Sequence, residues 1–137
     1  MSALKRLDFL DQLNNYINSL GLYARCKVGI VEDGEGISIN MMPGGEEIIF
    51  MDGERDKSQN MQIVAKSRNH QKCIDTLTKI YRKLENLNDL TSLNDSFEFK
   101  GISTTSYPSL ILHDENGNFI YEVTINTNIT IYEGVEI

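Results

Sequence analysis

Met61-Gln62-Ile63-Val64-Ala65-Lys66-Ser67-Arg68-Asn69, running straight into His70 to Leu87, is the stretch that decides the fold. Met61 to Lys66 reads as a strand. Arg68-Asn69 is a short polar break. From His70 the period changes: Ile74, Leu77, Ile80, Tyr81, Leu84 and Leu87 recur at steps of three and four, on one stripe of a helix. No glycine or proline interrupts Asp75 to Glu85. This strand–turn–helix unit points to an α+β domain. The expected architecture is a mostly antiparallel or mixed sheet flanked by two main helices and closed by a C-terminal β-hairpin.

Upstream, Leu4, Leu7, Leu10, Leu13, Ile17 and Leu20 predict the other helix, Leu4 to Leu20, with Ser2 able to cap its start and Gly21 ending it. The period then drops to two. Tyr23 to Val31 is a candidate strand, Asp33 to Gly36 a turn, and Ile37, Ile39 and Met41 alternate with Ser38 and Asn40. Met42 to Gly45 is a second break. Glu47 to Met51 is a short apolar strand. Asp52 to Asn60 reads as a polar loop, an interaction arm or a mobile tip.

Downstream, Asn86 to Ser96 is polar, with Leu87, Leu90 and Leu93 as buried candidates. Phe97 to Ser103 is a strand that Tyr107-Pro108 interrupts, because proline cannot donate to a ladder. Ser109 to His113 and Phe119 to Tyr132 form the closing hairpin around Asn116-Gly117, a strong turn signal. In the last strand Tyr121, Val123, Ile125, Thr127, Ile129 and Ile131 face one way. Glu122, Thr124, Asn126, Asn128, Thr130 and Tyr132 face the other, so one side is covered and one is wet or meets a partner.

The 137 residues suit a single domain, 1–137, long enough to fold without a metal or disulfide staple. No window approaches the ~18 consecutive apolar residues of a membrane span. The N-terminus lacks the pattern of a secretory signal, so a reducing cytoplasm is expected. Cys26 and Cys73 read as reduced, partly buried apolar residues. Net charge is −7, but it is blocked along the chain: +2 over residues 1–31, −7 over 32–54, +5 over 55–85 and −7 over 86–137. The blocks read either as solvated faces or as faces that attract in neighbouring copies. An acidic chain is a poor candidate for grasping nucleic acid.

No catalytic pattern is present. Asp114 to Asn118 fails the spacing of a calcium loop and fits a turn. His70 and His113 have no partner at metal spacing. There is no nucleophile elbow, no phosphate-binding glycine loop, and no carboxylate pair marked as an acid–base couple. The protein reads as non-enzymatic, without metal or cofactor. Lys66, Arg68, Lys72, Lys79, Arg82 and Lys83 are a solvated helix face, a contact for an acidic neighbour, or a nucleic-acid surface. The last lacks interleaved aromatics on that face.

The order of parts resembles a known family. A helix containing Leu7-Asp8-Phe9-Leu10-Asp11-Gln12-Leu13 and ending Leu20-Gly21-Leu22 precedes a run of short strands. Met61 to Asn69 then leads into a helix, and a hairpin follows with Pro108, Leu112-His113-Asp114-Glu115-Asn116-Gly117-Asn118 and Tyr121-Glu122-Val123. This resembles the tail terminator proteins, or minor capsid proteins, of long flexible-tailed phages and prophages, over nearly the whole chain. The resemblance implies a six-subunit ring that caps the tail tube, stops its polymerisation and presents a surface to the head–tail connector. It implies no catalysis and no cofactor, assembly in the host cytoplasm and a final place in the virion tail. Self, the tube protein and the connector are the expected partners, with no membrane and no specific nucleic acid. The candidate subunit or tube interface comprises Glu46, Glu47, Asp52, Glu54, Arg55, Lys57, Arg68 and Lys72, and the acidic members could line the lumen and let DNA slide. The competing reading is a small binding module with a ferredoxin-like sheet.

Overall fold

The computed structural model describes residues 5–31 and 34–136. The elements run β1 (Lys5–Arg6), α1 (Phe9–Asn18), β2 (Cys26–Val28), β3 (Gly36–Met41), β4 (Glu47–Ile49), β5 (Arg55–Ser67), α2 (His70–Glu85), β6 (Phe97–His113), β7 (Phe119–Ile131) and β8 (Val135–Glu136). Six strands make a mixed sheet in the order β2-β3-β5-β7-β6, and β4 pairs with β5 off that path. Only β2 and β3 are parallel; all other pairs in this sheet are antiparallel. The expected α+β class is found. The ferredoxin-like sheet of the competing reading is not: three strands, β3, β4 and β5, separate β2 from α2.

β5 is the spine. All thirteen of its residues pair with β7, from Arg55↔Ile131 to Ser67↔Phe119. Its odd-numbered residues Met61, Ile63 and Ala65 point into the core, with Ile37 and Ile39 of β3 and Val123, Ile125, Ile129 and Ile131 of β7. Both helices cover this one face: Phe9, Leu13 and Ile17 from α1, and Cys73, Leu77, Ile80 and Leu84 from α2. Phe9 meets Phe97 edge-on, with ring centroids 5.2 Å apart. Cys26 and Cys73 are buried free thiols, as their reading required. Burial raises both, Cys26 to about 12.

The other sheet face is a polar ladder. Asn126 Nδ2 donates to Ser58 Oγ (2.7 Å) and Asn60 Oδ1 (2.9 Å), Asn128 Nδ2 donates to Asn126 Oδ1 (3.1 Å), and Thr130 Oγ1 donates to Asp56 Oδ1 (2.7 Å). Gln62 bonds Glu122 in the same rows. The alternation expected for β7 therefore holds.

Four stretches differ most from the sequence expectation. The first helix begins at Phe9, because Lys5 and Arg6 pair in parallel with Val135 and Glu136. Leu7 N–H continues that ladder to Glu136 O (2.9 Å). Ser2 and Leu4, expected as cap and first apolar residue, lie outside the described residues. The strand expected over Tyr23 to Val31 is only Cys26–Val28. Asn18 grips it, accepting from Cys26 N–H (2.7 Å) and donating to Cys26 O (3.0 Å).

The polar loop expected over Asp52 to Asn60 is mostly strand, since β5 starts at Arg55. Its polar residues are satisfied sideways. Gln59, nearly buried, donates to Met42 O (2.8 Å), and Thr127 Oγ1 donates to Gln59 O (2.9 Å). Finally, β6 runs unbroken through Tyr107-Pro108, at the cost of four register shifts against β7. Pro108 is tolerated because β6 is an edge strand. The hairpin expected after it forms, with Asp114 Oδ1 accepting from the N–H groups of Asn116 (3.0 Å) and Asn118 (2.8 Å).

Asp8 ties α1 to the segment before β6. It stands at the N-cap of α1 but makes no cap bond there. Its carboxylate instead accepts from Ser92 Oγ (2.7 Å), Ser96 Oγ (2.8 Å) and Leu93 N–H (2.8 Å). Burial opposes its ionised form, yet these donors outweigh burial and hold its pKa below the usual value. A carboxyl depressed on folding contributes stability that is complete above its unfolded pKa, about 3.9, and is lost as pH falls through the folded value. Asp8→Ala is expected to cost about 2 kcal/mol at neutral pH in urea unfolding. The difference from wild type should vanish in strong acid. An equal deficit at every pH would contradict the carboxylate's role.

Candidate functional site

The eight candidate interface residues do not form one site. Six of them gather on the β4–β5 hairpin, where Glu47 pairs with Lys57 across the ladder and Ile49 with Arg55. Arg55 Nη1 lies 3.4 Å from Glu47 Oε1. Asp52 Oδ1 accepts from Glu54 N–H (3.0 Å), and Phe50 N–H donates to Glu54 O (2.8 Å), which closes the turn. Glu46 O accepts from Ser58 N–H (2.8 Å) and anchors the base of the hairpin.

Arg68 and Lys72 stand at the far end of β5, about 40 Å away at roughly 3.3 Å per residue. Lys72 Nζ is 3.5 Å from Glu35 Oε2 and 4.7 Å from the centre of the Tyr23 ring. The Ser67 hydroxyl, with Lys72 behind it, holds the Glu35 carboxyl below its ordinary value. The Tyr23 hydroxyl faces Gly36 O (3.0 Å) and Lys66 O (2.9 Å), and burial raises its pKa. This end is thus an internal clamp joining the segment before β2, the start of β3, the end of β5 and α2. His70 and His113 belong to it too. Both rings lie against Phe119, His113 stacked at 4.1 Å and His70 tilted at 5.4 Å, while the side-chain cap of α2 comes from Asn69.

Sequence reasoning weighed charges and passed over the apolar surface. Ile48, Ile49, Phe50 and Met51 are all exposed at the tip of the β4 hairpin, Met51 completely. A second group, Tyr107, Leu110, Ile111 and Leu112, is exposed on β6. The signal was present in the uninterrupted runs Ile48-Ile49-Phe50-Met51 and Leu110-Ile111-Leu112, which lack the alternation of a half-covered strand. Exposed apolar groups of this kind mark interaction sites.

Chemically the surface offers apolar contact rimmed by charge. A groove of about 180 Å³ beside β4 is lined by Glu46, Ile48, Lys57, Lys100 and Asn128. Among the described residues, no group of three or more His, Cys, Asp or Glu is placed to hold a metal ion. No described helix is long and apolar enough to cross a membrane. Compared with known families, the chain matches the model described as bacteriophage tail terminator protein over residues 16–131. No curated protein matches it.

Proposed function

Because the chain belongs to the bacteriophage tail terminator family, a family of structural tail proteins, we propose that it forms an oligomeric ring that caps the tail tube. In this reading six copies close the ring, end tube polymerisation and present the joining surface to the head connector. The tube protein, the connector and further copies of the chain are its partners, met in the host cytoplasm before it takes its place in the virion. DNA passes through the ring, which an acidic chain of net charge −7 repels rather than grips.

The observation that carries this reading is the pair of exposed apolar groups on open sheet edges, at β4 and at β6. A monomer working alone has no use for them, whereas a ring has two faces per subunit to cover. Purified protein mixed with purified tail tubes, followed by light scattering and electron microscopy, tests it. The expected result is a ring, or a monomer that adds at tube ends and halts their growth. Protein that stays monomeric and leaves tube growth unchanged would remove the reading.

A further inference from the structure

The apolar tip of β4 and the apolar stretch of β6 lie at diagonally opposite corners of the sheet. β4 sits on the β3 side of β5, beside Arg55–Lys57, and β6 is the edge strand on the other side. Along the strands, Arg55 aligns with Ile131 and Phe97, whereas Ser67 aligns with Phe119 and His113. Leu110 to Leu112 therefore belong to the end opposite the β4 hairpin. With β5 about 40 Å long, the two groups cannot meet within one chain.

We infer that the β4 tip of one copy, Ile48 to Met51, docks on the β6 stretch Tyr107 and Leu110 to Leu112 of a second copy, head to tail. The inference rests on the ring proposed above and names its subunit contact. Two different patches on one chain make a heterologous contact, which closes into a ring when its rotation permits; a patch that met its own copy would stop at a dimer. Charge agrees. Glu46, Glu47, Asp52 and Glu54 rim the hairpin and outnumber its Arg55 and Lys57, and of these carboxylates only Glu47 is ion-paired among the described residues. The β6 stretch borders α2 through the Tyr81–Tyr107 ring contact at 5.6 Å, and α2 exposes Lys79, Arg82 and Lys83. An acidic rim thus meets a basic helix around an apolar centre. Side chains rather than backbone make the contact, because Pro108 and the four register shifts spoil β6 as a template for a further strand.

Ile49→Asp and Ile111→Asp each put a carboxylate in one of the patches. Both positions are exposed, so thermal unfolding should match wild type. Each variant alone is expected to weaken self-association about tenfold or more, read by light scattering or by capping of tubes. A 1:1 mixture should give dimers and nothing larger, since the hairpin of the Ile111→Asp copy still fits β6 of the Ile49→Asp copy. In a second format, Ile49→Cys and Ile111→Cys chains mixed at tube ends and oxidised should cross-link 49 to 111. Variants that assemble like wild type, Ile49→Cys chains that link to one another, or a hairpin that links to the tube protein would each overturn the pairing. If wild type caps tubes while both variants do so equally well, only this pairing falls. If wild type neither assembles nor caps, the ring reading falls with it.

Discussion

Leu77→Ala is expected to remove about 3 kcal/mol of folding stability. Leu77 is fully buried at mid-helix and belongs to the core cluster that joins α2 to the sheet. Truncation loses the transfer energy of the removed carbons and leaves a cavity that a sheet packed on one face cannot readily fill. Leucine-to-alanine changes at such sites cost about 2–5 kcal/mol. Against a total of about 5–15 kcal/mol for a domain, the protein should still fold but with a clearly lower urea midpoint and an unchanged slope. The companion measurement is Ile48→Ala, whose side chain is more than half exposed. Its loss should stay within about 0.5 kcal/mol. A Leu77 effect under 1 kcal/mol would mean that α2 is not packed as described. A large Ile48 effect would mean that the hairpin tip serves folding rather than contact.

Gly45→Ala should detach the β4 hairpin while leaving the core intact. Gly45 has φ +101°, and a Cβ there would sit 2.0 Å from the carbonyl oxygen of Ser58. That oxygen belongs to β5 and cannot swing aside as a long side chain could. Strain of the backbone alone costs about 1–3 kcal/mol, and the overlap adds to it. The next residue, Glu46, accepts the Ser58 N–H bond that seats the hairpin, so the strain falls on its anchor. Hydrogen exchange is expected to speed up at the amides of Ile48, Asp56 and Ser58, which face across the β4–β5 ladder, with Met61–Ala65 still protected. Gly21→Ala is the control. It also has a left-handed φ, +72°, but nothing lies within 4 Å of the added carbon, so about 1 kcal/mol is expected there. Unchanged exchange in the hairpin of Gly45→Ala would contradict the close approach. Because the hairpin carries one of the two exposed apolar groups, the same variant should also lose tube capping.

Periodicity alone carried the centre of the fold. The stripe Ile74, Leu77, Ile80, Leu84 and the alternation Val123, Ile125, Thr127, Ile129, Ile131 each bury one face, and local spacing decides that. The Asn116-Gly117 turn is local chemistry as well, needing only Asp114 and the backbone it bonds. The order of elements resembled the tail terminator family, to which the chain belongs. Other features depend on partners far away in the chain. Leu4 and Leu7 continue the spacing of α1, yet Lys5 and Arg6 are strand because Val135 and Glu136 lie beside them. Arg55 to Asn60 is polar enough for a loop and becomes strand because β7 supplies thirteen pairing residues and a ladder of Asn and Thr side chains. For the candidate site, the sequence by itself determined that Glu46, Glu47, Asp52 and Glu54 share a short segment with Arg55 and Lys57. Only the tertiary structure decided that Arg68 and Lys72 lie at the opposite end, one of them engaged with Glu35, and that two apolar runs are left uncovered. Burial is a property of the whole assembly of strands and helices: the same apolar run is core under a helix and contact surface on an open edge.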